Sequence, residues 1–135
     1  MPAGYSGTPL PDKLGIKPGM KILLLHQPPA YFKWMPSGIA DQLCSKNEIP
    51  DLIHLFVLNN SEFMHEMKKL EPIIQKNTSV IIWVSWYKKA AGMETDMTED
   101  VIRNYALKHN LVDIKVCAVD EKWSGLKLVV PLKKR

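Results

Sequence analysis

The sequence predicts an α/β protein with a mostly parallel, five-stranded sheet between two layers of helices. Short aliphatic runs alternate along the chain with amphipathic, helix-like segments, as they do in sheets whose strands are joined by helices. The runs lack the polar alternation of half-exposed strands, which indicates burial on both faces. The last two runs follow one another across a short polar link, so we expect a hairpin and an antiparallel C-terminal strand.

Length and composition limit the organisation to one globular unit. The chain has 135 residues, of which 46% are hydrophobic and 24% charged, values ordinary for a single folded domain. The formal net charge of +4 is too small to indicate a nucleic-acid protein by itself. We expect residues 1–19, rich in turn formers, to be a lead-in segment and residues 20–135 to be a single α/β domain.

Each strand is predicted from an apolar run bounded by turn formers. The predicted strands are residues 20–25, 51–58, 79–86, 111–120 and 125–132. Side chains near the middle of these runs should be almost inaccessible to solvent, and we name Phe56, Ile82, Trp83 and Val116.

Two helices follow the second and third strands. Asn59 has capping-box spacing to Glu62, and the apolar positions Phe63, Met67 and Leu70 recur at helical intervals. Polar residues of this helix, Glu66 among them, are expected to point away from the core. The second helix is predicted to start after Thr98, a favourable N-cap.

Several chemistries are not indicated by the sequence. The two cysteines, Cys44 and Cys117, form no C-x-x-C pair, and no two histidines have metal-binding i, i+4 spacing. We therefore predict no metal site and no catalytic residues. The N-terminal residues lack a signal-peptide pattern, and the longest uncharged apolar run, residues 79–87, is far shorter than the roughly 20 residues of a membrane span. The expected location is cytoplasmic, without membrane contact.

Residues 14–25, LGIKPGMKILLL, resemble the approach to the first strand of Rossmann-like methyltransferases. The closing order of strands and helices is similar to the second half of that fold, whose last strand is antiparallel and inserts beside the others. This resemblance implies a three-layer Rossmann-like domain with strand order 1-2-3-5-4 and an antiparallel strand 5.

The turn after the first strand departs from the cofactor-binding pattern. Cofactor binders place glycines there, so that the backbone approaches the ligand closely. Here Pro28 and Pro29 remove two N–H donors, and the second strand ends in Asn59 and Asn60 without an acid for a ribose. We therefore predict no cofactor, and specifically no measurable binding of S-adenosylmethionine.

Three further stretches resemble a small bacterial family of uncharacterised domains. They are YSGTPL with KLGIKPG, WVSWYKK through TDMTED, and LVDIKVCAVD with WSGLKLV. The chain departs from that pattern at Tyr87, where the family often has proline, and in lacking a glycine after the first strand. The resemblance implies a shared fold and supplies no mechanism.

Ligands of open α/β sheets bind outside the carboxyl ends of the strands. The end of the third strand has the most polar and charged side chains of the four strand ends. The link before the fifth strand is expected to face it. The candidate binding residues are Ser85, Trp86, Lys88, Lys89, Thr95, Asp96, Asp120, Trp123 and Ser124. Two indole walls with hydroxyl, ammonium and carboxylate groups suit a small polar or anionic ligand. Alternatively, the lysines are only solvated and both indoles fill the core.

These observations favour a non-catalytic domain that binds a small ligand or serves regulation. One alternative is a diverged transferase-like enzyme acting at the strand carboxyl ends. A further alternative is a weak nucleic-acid binder that uses basic residues such as Lys68, Lys69 and residues 133–135. The net charge makes nucleic acid an unfavoured partner, and the sequence does not indicate an oligomeric state.

Overall fold

The structure is a computed structural model that describes residues 8–45 and 47–135, so the first seven residues of the predicted lead-in segment lie outside it. The helices are α1 (Leu10–Leu14), α2 (Tyr31–Trp34), α3 (Asn60–Lys76) and α4 (Glu99–Lys108). The strands are β1 (Ile22–Leu25), β2 (Leu52–Phe56), β3 (Ile81–Tyr87), β4 (Val112–Ala118) and β5 (Trp123–Val129). Short 3₁₀ helices cover Ser37–Gln42, Lys89–Ala91 and Leu132–Lys134.

The strands form one open sheet in the order β1-β2-β3-β5-β4, as predicted. Strands β1, β2 and β3 are parallel, whereas β5 runs antiparallel to both β3 and β4. The carboxyl ends of β1 to β3 therefore lie at the same edge of the sheet as the β4–β5 turn. We call this the carboxyl edge.

Helices cover both faces of the sheet, which confirms the three-layer prediction. Side chains alternate along β3: Val84 and Trp86 pack on the face that α3 and α4 cover, whereas Trp83 and Tyr87 pack on the opposite face. On that second face lie α1 and α2, which bury Leu10 and Tyr31. We call the two sides the α3 face and the α1 face.

The starts of the long helices agree with the sequence prediction. Asn59 Oδ1 accepts a hydrogen bond from the backbone N–H of Glu62 at 2.8 Å, and Glu62 Oε1 accepts one from the N–H of Leu58 at 2.9 Å. Thr98 Oγ1 accepts from the N–H of Val101 at 3.2 Å. These caps satisfy donors that have no partner within the helix, and they fix the start of α3 at the carboxyl end of β2.

The predicted core is correct at three positions and wrong at one. Phe56, Ile82 and Trp83 are almost inaccessible, but the side chain of Val116 is 48% exposed. Val116 belongs to β4, which lies beside β5 at the end of the strand order and forms an edge of the sheet among the described residues. An edge strand lies partly outside the helical layers, so an apolar run there is not fully buried.

Gly125 lies within β5, two residues after the strand begins. It pairs with Ser85 on one side and with Cys117 on the other. A Cβ atom at this position would lie 3.2 Å from both the Trp83 ring and the Val119 side chain. The absence of a side chain therefore lets the Trp83 indole pack beneath the strand.

Candidate functional site

The end of β1 brings an exposed imidazole to a buried carboxylate. His26 Nε2 lies 3.5 Å from Glu66 Oε1 of α3, and Lys69 Nζ lies 3.6 Å from the same oxygen. The His26 side chain is 49% exposed, whereas that of Glu66 is only 8% exposed. The pair therefore combines a base that substrate is able to reach with a carboxylate sheltered from water.

Local backbone geometry and helix periodicity place these two groups. His26 has a φ of 58°, a left-handed conformation that histidine adopts more readily than most residues. Glu66 is three residues after Phe63 and four before Leu70, so it lies on the apolar stripe of α3 that packs on the sheet. The expectation that Glu66 points away from the core is wrong, and a carboxylate on that stripe was the signal that would have identified it.

Thr95 and Asp96, two of the predicted site residues, belong to the loop between β3 and α4 and contact the turn between β2 and α3. Thr95 Oγ1 donates to the carbonyl of Leu58 at 2.8 Å, and Asp96 Oδ1 accepts from the backbone N–H of Asn60 at 2.6 Å. The Asn60 side-chain oxygen is buried and has no partner in the described part of the chain. The carboxylate of Asp96 thus occupies the start of α3, where a helix favours negative charge.

Ser85 belongs to a buried chain of hydrogen bonds on the α1 face. Its hydroxyl lies 2.7 Å from His54 Nε2, and His54 Nδ1 lies 3.2 Å from the Tyr31 hydroxyl. Burial lowers the pKa of His54 to about 3 and raises the pKa of Tyr31. All three side chains are inaccessible, so this serine–histidine pair is closed to substrate and serves the packing of the sheet.

The two tryptophans of the predicted site lie on opposite faces of the sheet. Trp86 packs on the α3 face, whereas Trp123 packs on the α1 face and stacks on Tyr87 with ring centroids 4.2 Å apart. Their side chains are 8% and 6% exposed. The prediction that both indoles wall one cleft is therefore wrong, because register alternates side chains between the faces.

The remaining candidate residues gather where β3 ends and the β4–β5 turn begins. The backbone N–H of Lys88 donates to the carbonyl of Lys122 at 2.8 Å, while Lys89 is exposed. Asp120 Oδ1 accepts from the N–H groups of Lys122 and Trp123, so it shapes the turn. Ser124 pairs with Trp86 of β3. Ligand contact by the nine candidate residues stays a prediction.

The turn after β1 does not fit the S-adenosylmethionine that methyltransferases of this fold use. Pro28 and Pro29 have no N–H groups, and the helix after them, α2, is only four residues long. The turn thus has two backbone donors fewer than other residues would supply, and it lacks the long helix that such a site presents to its ligand.

A concave surface lies at the edge of the sheet opposite to the carboxyl edge. A cavity of about 320 Å³ lies between the ends of α3 and α4 and has both apolar and polar walls, including Met67, Tyr105, Leu111 and Lys134. Among residues 8–45 and 47–135, no cluster of His, Cys, Asp and Glu is arranged to hold a metal ion. No helix of that described part combines the length and apolar character needed to cross a membrane.

Solved structures of similar fold come from bacteria. An uncharacterised protein of Listeria monocytogenes serotype 4b matches with a TM-score of 0.55 and 10% identity, over 86% of this chain and 64% of its own. A protein in the NADB-Rossmann superfamily from Streptococcus agalactiae matches with a TM-score of 0.53 and 11% identity, over 96% of this chain and 70% of its own. The B. subtilis M1A22 tRNA methyltransferase TrmK matches with a TM-score of 0.54 and 9% identity, over 95% of this chain and 68% of its own. No protein-family model and no curated sequence matches the chain.

These comparisons establish a Rossmann-like α/β fold of the kind found in methyltransferases. The chain spans just under two thirds of the length of the Listeria protein. The main functional prediction was a non-catalytic domain that binds a small ligand or serves regulation. The similarity to methyltransferase structures corrects that prediction. The similar structures include the B. subtilis tRNA (m1A22) methyltransferase and a putative tRNA (m1A22) methyltransferase of Streptococcus pneumoniae, so a non-catalytic role does not follow from this fold.

Proposed function

We propose that this chain is a diverged transferase-like enzyme that acts at the carboxyl edge of its sheet, with His26 as general base and Glu66 as the residue that positions it. The fold analogy directs attention to that edge. The observation that carries the proposal is the contact between the exposed imidazole and the buried carboxylate at the end of β1.

The proposed chemistry is a group transfer assisted by proton removal. A carboxylate beside Nε2 favours the tautomer with its proton on that atom, which leaves the lone pair of Nδ1 free to accept a proton. As an acceptor hydroxyl or amine attacks the group being transferred, its proton passes to Nδ1. The bond from that group to the donor breaks, and the donor departs with the electron pair. The 3.5 Å contact is long for a hydrogen bond, and such contacts often shorten when substrate binds.

The donor in this proposal is a nucleotide or an acyl phosphate rather than S-adenosylmethionine. The two prolines after β1 are the argument against the usual methyl donor. The proposal also includes membership of the uncharacterised bacterial family that the three motifs resemble. A cytoplasmic location is part of it too, because both cysteines are unpaired, as is usual in reducing compartments.

A transfer assay tests the proposal. The protein is incubated with total RNA or small amines as acceptors and with labelled nucleoside triphosphates, acetyl phosphate or S-adenosylmethionine as donors. We expect label to be transferred from a nucleotide or acyl phosphate. His26→Gln should lower the rate by about 10²- to 10⁴-fold, the usual contribution of a general base, and Glu66→Gln should lower it less.

The matched control is His65→Gln, which makes the same change at an exposed histidine next to Glu66 in α3. It should leave the transfer rate unchanged. Absence of transfer from every donor, or equal rates for the His26 and His65 variants, would contradict the proposal. Transfer from S-adenosylmethionine alone would refute the assignment of the donor.

A further inference from the structure

A group of lysines lies on the α1 face of the β4–β5 hairpin, away from the His26–Glu66 pair. We call Lys13, Lys88, Lys115 and Lys127 the hairpin lysines. Lys115 and Lys127 are directly opposite one another in the register of the two strands, and Trp83 is the next residue in the same row. Lys115 Nζ lies 6.0 Å from the centre of the Trp83 ring, which confirms that this row faces the α1 side.

The other two lysines approach the same surface from neighbouring elements. Lys13 of α1 donates from Nζ to the carbonyl of Ala118 at 3.0 Å. Lys88 follows β3 and is joined through its backbone to the β4–β5 turn. The surface thus combines lysines from α1, from the segment after β3 and from both strands of the hairpin. These segments are separated in sequence, which is why adjacent pairs of basic residues did not reveal the surface.

The ammonium groups of Lys115 and Lys127 act on one another, and all but Lys127 act on a neighbouring thiol. Partial burial and the charge of Lys115 lower the pKa of Lys127. Burial raises the pKa of the neighbouring Cys117 thiol, and the charges of Lys13, Lys115 and Lys88 oppose that rise. In the described part of the chain, no ion pair involves Lys88, Lys115 or Lys127, and Asp113 of β4 pairs instead with Arg103 at 3.1 Å.

Such an arrangement disfavours the folded protein when it is alone, because like charges directly opposite on adjacent strands repel. An anion between them would remove that repulsion. A small anion would contact one or two of these lysines, whereas a chain of phosphates is long enough to contact lysines on separate elements. The row of Lys115 and Lys127 is four residues before the end of β3, roughly 13 Å along the strand from the carboxyl edge.

We propose that the hairpin lysines bind the phosphate backbone of a nucleic acid and hold it as it leads to the carboxyl edge. This inference rests on the proposed function, for which it names the class of acceptor. RNA and DNA present the same backbone charge, and the experiment distinguishes them.

The test is the salt dependence of binding, measured by fluorescence anisotropy with labelled single-stranded RNA and with DNA of the same sequence. Affinity for single strands falls with salt in proportion to the phosphates contacted, with a logarithmic slope of about 0.7 for each contact. Removing two contacts in Lys115→Gln/Lys127→Gln should reduce the slope by about 1.4 and weaken binding about tenfold at low salt. Lys68→Gln/Lys76→Gln, with two exposed lysines of α3, is the matched control and should bind like the parent.

The proposal is supported if RNA or DNA binds the parent and the Lys115→Gln/Lys127→Gln variant has the lower affinity and the smaller salt slope. The nucleic acid that binds more tightly identifies the acceptor. Equal binding by the two double variants, or equally tight binding of polyglutamate, would overturn it. The result is separable from the proposed function, since His26→Gln should bind nucleic acid normally while losing transfer. Transfer that persists in the Lys115/Lys127 variant would leave the enzyme proposal standing and remove the acceptor assignment.

Discussion

At the scale of single residues, His54 shows how a polar side chain is accommodated in the core. Its two ring nitrogens lie within hydrogen-bonding distance of Ser85 and Tyr31, so a neutral imidazole donates one bond and accepts the other. Its ring also stacks on Phe56 with centroids 4.3 Å apart. Protonation would place an unpaired charge in this apolar surrounding, which is why burial lowers the pKa of His54.

Stability should therefore fall in mild acid. An unfolded histidine binds a proton below about pH 6.5, whereas folded His54 stays neutral down to about pH 3. Because the unfolded state binds nearly one proton more in that range, the free energy of unfolding should fall by about 1 kcal/mol between pH 6 and pH 5. Urea unfolding at a series of pH values measures this slope.

His54→Gln should remove this part of the slope, although it weakens the protein at neutral pH. The exposed His65→Gln variant should retain the slope of the parent. A parent whose stability is constant between pH 6 and pH 5 would show that His54 is accessible to protons in the folded state.

At the scale of elements, register determines which face each side chain occupies. Trp123 pairs with Tyr87 and Ser124 pairs with Trp86, so a shift of one residue would move Trp123 to the α3 face. The hydrophobic pattern predicted that β5 exists but not its register against β3. In the same way, the contact of Asp96 with Asn60 depends on the path of a loop, which no local pattern specifies.

The facing lysines of β4 and β5 lead to a prediction at this scale. Lys115→Gln removes a repulsion and Lys115→Glu replaces it with an attraction, so stability should rise in that order. The gain for the glutamate variant should be about 0.5–1 kcal/mol, the usual range for cross-strand pairs. It would be seen as a higher urea midpoint at unchanged m-value. A loss of stability in both variants would mean that the two ammonium groups do not face one another.

At the scale of the whole molecule, alternation of strands and helices predicted a mostly parallel sheet, and the closing hairpin predicted an antiparallel strand. The strand order itself was implied by the resemblance to Rossmann-like methyltransferases, and the structure has that order. Glu66 was less accessible to sequence reasoning, because a carboxylate on the apolar stripe of α3 becomes meaningful only when α3 is packed beside the end of β1. The residues predicted at the end of β3 lie at the carboxyl edge of the sheet, and their contact with a ligand stays a prediction. The indoles of the predicted site belong to two different cores, however, and that separation follows from topology rather than from composition.

The central claim is that the imidazole of His26 performs the reaction at the carboxyl edge, and chemical rescue tests it most directly. Glycine adopts the φ of 58° at this position without strain, so His26→Gly should fold and melt like the parent. Its transfer rate should fall by about 100-fold or more. Because His26 is half exposed, imidazole added to the solution should restore much of the rate. A variant that transfers at the parental rate, or a loss that imidazole does not reverse, would contradict this account of the protein.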